Sequence, residues 1–289
     1  MSRLNLQGPT IRCLQDADSI LTVIPEGAIG RKRPHVRTLV NSPATERNRL
    51  LAALSIDEQA QLATRMEPAC LETHQVLAYP DEPLTHVYFP RDAVVTLLVP
   101  MQDGAAVEGA TIGNEGLIGL AVFLGDATPN EEMVVQIPGE AVRMRAVDFR
   151  HAVASSVLLQ TQLQRYTLAL INQLGRTAGC NRLHTVEERC ARWLMMSKDR
   201  VGRETFPVTH ESMAATLGVR RASVTEAAGA LQRAGIIDYH RGWINILDGA
   251  RLEAATCEDY QLSREAYDRL YEPSSTRPTT SRPLALAAR

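Results

Sequence analysis

Residues Val208 to Leu247 read VTHESMAATLGVRRASVTEAAGALQRAGIIDYHRGWINIL. Thr209 is a good helix N-cap, and Met213, Ala214 and Leu217 follow at helical spacing. They predict a short helix that ends at Leu217, with Gly218 supplying the permissive backbone of a turn. A second helix is predicted from about Arg220 to Ala234. Val224, Ala227 or Ala228, and Leu231 recur every three or four residues and mark its inward face. By elimination Arg221, Ala222, Thr225, Glu226 and Gly229 point outward, and the small ones let a large partner approach the backbone. Ile236, Tyr239 and Trp243–Leu247 predict a hairpin with Arg241-Gly242 at its tip. Helix, short turn, helix and basic-tipped hairpin make a helix-turn-helix with a wing. In such a unit the first helix braces across phosphates and the start of the second enters the major groove.

Working upstream, a helix is predicted from roughly Leu183 to Met196. Before it, Asp148 to Ala178 holds no proline, and no glycine precedes Gly175, which predicts a long helix of about eight turns. Leu159, Leu163, Tyr166 and Leu170 fall at 4-3-4 spacing and read as a dimer seam. A core helix buried within one subunit is the competing reading. Val157, Leu168, Ile171 and Leu174 widen the apolar surface, as if the helix had two partners. Between Cys70 and Phe149 lie short β-rich runs, HVYF, AVVTLLV, AAVEGATI, MVVQI and EAVRM, broken by turn residues. They predict a β-sandwich or small barrel. Ser55 with Glu58 three residues on is a capping box before a short helix. Residues 1–45 read as a flexible extension in which Arg31–Arg37 is a solvated basic cluster. Beyond Leu252 a turn or two of helix is expected, and 272–289 reads as a disordered Pro/Ser/Thr-rich tail.

The near-neutral total hides an asymmetry. Residues 46–150 carry 16 Asp/Glu against 7 Lys/Arg, a net of −9, whereas 151–251 carry 8 against 13, a net of +5. The basic segment contains the helix-turn-helix pattern. No apolar run reaches membrane-spanning length and no signal-peptide order opens the chain, so a cytoplasmic protein without a membrane partner is expected. The five scattered cysteines show no CxxC spacing. Cys180 and His184 share a helical face if that helix continues, with Cys190 nearby. No fourth ligand is evident, so core residues are the favoured reading, and neither metal nor cofactor is expected. No Ser-His-Asp order, nucleophile elbow, zinc motif or Walker loop is visible, which argues against an enzyme.

From Arg47 to Tyr260 the sequence resembles the Crp/Fnr family of bacterial transcription regulators, most specifically in LHTVEERCARWL, TLGVRRASVTEAAGALQRAGII and the short wing after them. The resemblance implies an α+β chain of four parts. These are a cyclic-nucleotide-binding-like β-roll over 46–150, a dimerisation helix over 151–180, a winged helix-turn-helix over 181–260 and the flanking extensions. It also implies a homodimer on a two-fold symmetric double-stranded DNA site, often in contact with RNA polymerase. Arg221 falls at a base-reading position, and Arg220, Ser223, Thr209 and His210 fall where the family touches phosphates. The family's frequent glutamate is Ala222 here, and a following arginine is Glu226, so the usual DNA consensus does not carry over.

Nucleotide-binding members lead from a Gly-Glu-rich segment into an Arg-Ser or Arg-Thr pair. GNEGLIGL, with Gly113, Glu115 and Gly116, resembles the start of that cassette, but Pro129-Asn130-Glu131-Glu132 stands where the arginine belongs. Arg143 and Arg145 on the next strand are the substitutes on offer. The expectation is a sensor domain of unknown or lost ligand. The alternative function is a ligand-binding regulatory module that works through protein contacts.

Overall fold

A computed structural model describes residues 47–102, 106–126 and 128–271, together with the backbone of two strands at 11–15 and 21–25. Those strands, β1 (Ile11–Gln15) and β2 (Leu21–Pro25), pair antiparallel within the segment expected to be a flexible extension, and the rest of residues 1–45 lies outside the described residues. The Arg31–Arg37 cluster and the 272–289 tail lie outside the described residues.

Two short helices, α1 (Arg49–Ala52) and α2 (Ile56–Ala63), open the globular part, and the Ser55–Glu58 capping box forms as its spacing predicts. Seven strands follow: β3 (Met66–Leu71), β4 (Val76–Ala78), β5 (His86–Pro90), β6 (Val94–Pro100), β7 (Ala106–Ile112), β8 (Glu132–Ile137) and β9 (Gly139–Arg145). They form two antiparallel sheets, ordered β3-β9-β5 and β4-β8-β6-β7. A short α3 (Ala121–Leu124) lies between β7 and β8. Leu71, Val87, Phe89, Val95, Ile112, Leu117 and Val135 fill the space inside this roll.

The predicted long helix is two. The chain runs through α4 (Ala146–Ser155), extends at Ser156, and restarts as α5 (Val157–Leu183). Ser156 causes the break: its hydroxyl caps the new helix by accepting from the Leu159 N–H. Leu159, Leu163, Tyr166 and Leu170 are all buried, and they pack into the β-roll core of their own chain. The stripe read as a dimer seam is therefore the seam between helix and roll. The side of α5 left open holds Val157, Leu168, Ile171 and Leu174, with Leu168 60% and Ile171 57% exposed.

The rest is helical, with one small sheet. The capping box of Thr185 and Glu188 starts α6 (Val186–Val201), which Gly202 ends in the left-handed conformation. Then come β10 (Thr205–Pro207), α7 (His210–Leu217), α8 (Arg221–Arg233), β11 (Ile237–His240) and β12 (Trp243–Ile246), with sheet order β10-β12-β11. Two further helices, α9 (Gly249–Ala254) and α10 (Glu258–Tyr271), reach well past the expected turn or two. They last because α10 folds back on α5 and buries Tyr260, Tyr267 and Leu270. Val94 and Ile137 of the roll join the core of the C-terminal unit, so the two halves pack directly.

Candidate nucleic-acid interface

The interface is built on α7 and α8. Thr209 caps α7, accepting from Ser212 N–H at 3.0 Å, and Gly218 closes it at φ 61°, a conformation glycine adopts without strain. Arg220 takes extended dihedrals and begins α8 as its N-cap, one residue before the helix proper, which was predicted to start at Arg220 itself. Val224, Ala227, Ala228 and Leu231 are buried against α6 and α7. Arg220, Arg221, Ala222, Thr225 and Glu226 are exposed, while Ser223 and Gly229 are half-buried. The start of α8 thus presents the free N–H groups of a helix N-terminus, the positive end of the helix dipole and two guanidinium groups.

The two arginines differ in surroundings. Arg221 lies 3.8 Å from Glu211 of α7, in a pair open to solvent on both sides. Such a pair is worth little and releases its arginine readily. Arg220 stands at the helix entry, exposed. Arg241, at the tip of the β11–β12 hairpin, has φ 50° beside Gly242 at 81°, which closes the wing with two left-handed residues.

His210 and Thr225 are engaged inside the unit. The His210 ring stacks on Tyr239 of the wing, centroids 4.2 Å apart. The Thr225 hydroxyl donates to Arg221 O at 3.0 Å, so at its 3.1 Å contact with His210 Nδ1 the imidazole is the donor. Burial, with Arg221 nearby, holds the His210 pKa below its ordinary value, so the ring is neutral at neutral pH. His210 thus ties the wing to α8.

The Gly113–Gly116 turn is filled from within the chain. Arg200 of α6 places its guanidinium 2.8 Å from Glu115, with both side chains nearly inaccessible, and also donates to Thr111 O at 2.8 Å. A Cβ at position 113 would meet the Arg200 stem at 2.6 Å, and one at 116 would meet the Tyr166 ring at 2.5 Å. Both glycines are there for close packing. Arg143 pairs with Glu67 at 3.0 Å and Arg145 with Asp148 at 3.7 Å, so neither joins Glu115. Burial raises the Glu132 carboxyl above its ordinary value. Sequence reasoning missed Arg200; its run of α6 neighbours gives no local hint of a partner 85 residues away.

Comparison with known proteins agrees with this geometry. The Crp-like helix-turn-helix domain model matches residues 188–255. No curated protein matches the sequence. Among solved structures, FixK2 from Bradyrhizobium japonicum superposes with TM-score 0.57 at 17% identity, over 66% of this chain and 98% of its own. A Crp/Fnr-family transcriptional regulator from Eubacterium rectale gives 0.53 at 15% identity, over 71% and 96%. A CRP-family transcriptional regulator from Thermus thermophilus gives 0.53 at 17%, over 65% and 95%. These neighbours share the fold from roll to winged helix. Residues 188–255 thus form a Crp-like helix-turn-helix domain, set in a fold that this chain shares with these structures.

Proposed function

We propose that the protein binds a two-fold symmetric DNA site as a homodimer, with Arg221 reading a base edge and Arg220, Thr209, Ser223 and Arg241 meeting phosphates. The observation that carries this is the outward face of α8, where Arg221, Ala222, Thr225 and Glu226 are exposed while the opposite face is buried. Arginine suits a guanine edge because its fork bonds both acceptors. Glu226 is free to accept from a cytosine amine, so the preferred site departs from that of relatives with arginine there. Thr225 reaches the groove through its methyl group, its hydroxyl being engaged. For the dimer, a second copy fits the open side of α5, where positions 157, 161, 164, 168, 171, 175 and 178 are exposed at spacings of four and three.

The β-roll does not take a cyclic nucleotide at Gly113–Gly116 in this reading, because Glu115 already has its cation in Arg200. Its signal is of another chemistry, and RNA polymerase is the protein partner the resemblance implies. No described helix is long and apolar enough to cross a membrane.

Salt dependence tests the DNA reading. Neutralised phosphates release counterions, so affinity for a short duplex should fall steeply and linearly on a log–log plot of binding constant against salt. A module that acts only through protein contacts would show no such binding. Calorimetric titration with cyclic AMP should show no micromolar association; finding one would return the Gly113–Gly116 turn to ligand duty.

A further inference from the structure

Four metal-ligating side chains converge at the end of α5, away from both the recognition helix and the Gly113–Gly116 turn. Cys180 lies in the last turn of α5 and His184 is its C-cap. Cys257 stands between α9 and α10, and Asp259 lies in the first turn of α10. One donor atom from each falls within 4.8 Å of the others. Sequence reading saw only the first pair, because Cys257 comes 77 residues after Cys180 and is joined to it only by the return of α10.

We propose that Cys180, His184, Cys257 and Asp259 form a tetrahedral site for a zinc-class divalent cation. Tetrahedral Zn²⁺ with Zn–S near 2.3 Å sets two thiolates about 3.8 Å apart; Cys180 Sγ and Cys257 Sγ are 3.6 Å apart. Zn–N and Zn–O bonds of about 2.0–2.1 Å set the other edge near 3.3 Å; His184 Nδ1 and Asp259 Oδ2 are 3.5 Å apart.

The surroundings point the donors inward. His184 Nδ1 is buried without a hydrogen-bond partner, an expensive state for a polar atom that a metal would relieve. Its other nitrogen, Nε2, lies 3.3 Å from Glu258, the carboxylate–histidine arrangement that fixes the tautomer with Nδ1 free to ligate. Arg176 holds Asp259 Oδ1 at 3.1 Å and leaves Oδ2 facing the cluster. Two thiolates, a carboxylate and a divalent cation sum to −1, which Arg176 offsets. The charged groups beside the donors are Arg176 on α5 and Glu258 on α10, and from α6 Arg192 acts electrostatically on both thiols and Arg189 on Cys180.

Such a cation would clamp α10 to the base of α5. The same α10 carries Tyr267, whose hydroxyl donates to Gln173 at 2.8 Å, and Tyr271, which bonds Glu115 O. Occupancy would therefore order a strut running from the metal to the buried Arg200–Glu115 pair.

The test is cobalt substitution on the full chain, reduced, stripped with a chelator and titrated with Co²⁺ and then Zn²⁺. The expected result is one Co²⁺ per chain with the intense visible absorption of a tetrahedral centre and a thiolate-to-cobalt charge-transfer band, both abolished by stoichiometric Zn²⁺. Cys257→Ser should weaken the charge-transfer band, and Cys190→Ala, which alters a buried cysteine outside the cluster, should leave it unchanged. Glu258→Ala, at an exposed position, should lower affinity about 10–100-fold, as loss of an outer-shell partner does. Three results would overturn the site: no cobalt uptake by the reduced wild-type chain, the weak spectrum of an octahedral centre, or a Cys180–Cys257 disulfide that persists under reducing conditions.

Discussion

Arg200 reaches from α6 into a turn of the β-roll and meets Glu115 where water does not. A buried pair of this kind adds little by itself, but removing one partner strands the other. Arg200→Met should therefore cost about 3–5 kcal/mol. The double variant Arg200→Met/Glu115→Gln should recover most of that loss, since both charges go together. Urea unfolding of both single variants and the double variant measures the coupling, and a double variant that loses the sum of the two single losses would show that no coupling exists. Local signals were legible at this scale: Ser55, Thr209 and Gly218 do in the structure what their neighbours in sequence demand. Glu115 was legible as important but not in its partner. Its environment is set by a residue 85 positions later, which no spacing rule reports.

At the scale of elements, α5 carries two apolar stripes, and period alone does not say which of them meets the roll. Leu163 is fully buried in its own chain, whereas Ile171 is 57% exposed. A charge at each should act differently. Leu163→Glu buries an unpaired carboxylate in the core and should unfold the β-roll half. Ile171→Glu should leave the fold intact and, in the proposed dimer, place like charges across the two-fold axis. Light scattering with circular dichroism separates them: a folded monomer is expected for Ile171→Glu and loss of structure for Leu163→Glu. A folded dimer in the Ile171→Glu variant would move the interface off α5. The order of elements, the strands read from short β-rich runs and both helices of the helix-turn-helix were legible because each is short and patterned. The Ser156 break was not, because one serine in a proline-free run looks like any exposed polar residue.

On the scale of the whole molecule, the roll and the winged unit meet through β6, β7 and β8 on one side and α6 and α7 on the other. Arg203 joins Asp92 at 3.0 Å, and Gln136 bonds Thr216. Glu108 of β7 is buried in this contact, and burial pushes its carboxyl up to about 7, although Arg192, Arg200, Thr216 and Arg189 each pull it down. Because its folded value is raised, the stability it allows is fully present below the ordinary value of 4.5 and is lost as pH rises through about 7. Between about pH 5 and 8 the wild type should lose on the order of 3 kcal/mol relative to Glu108→Gln. Thermal unfolding of both at a series of pH values checks this, and parallel curves would remove Glu108 from the account. Ionisation of Glu108 weakens the contact between roll and winged unit as pH rises, whereas the proposed DNA reading rests on α8. The most direct test is selection of preferred duplexes from a random pool by the wild type, Arg220→Ala and Arg221→Ala, each followed by a salt titration. The wild type should select a two-fold symmetric site. Arg221→Ala should lose preference at one base pair in each half-site, by about 1–3 kcal/mol. Arg220→Ala should keep the same preferred sequence while its salt slope flattens by about one for each phosphate no longer neutralised. An unchanged preferred sequence for Arg221→Ala together with an altered one for Arg220→Ala would contradict this reading of α8.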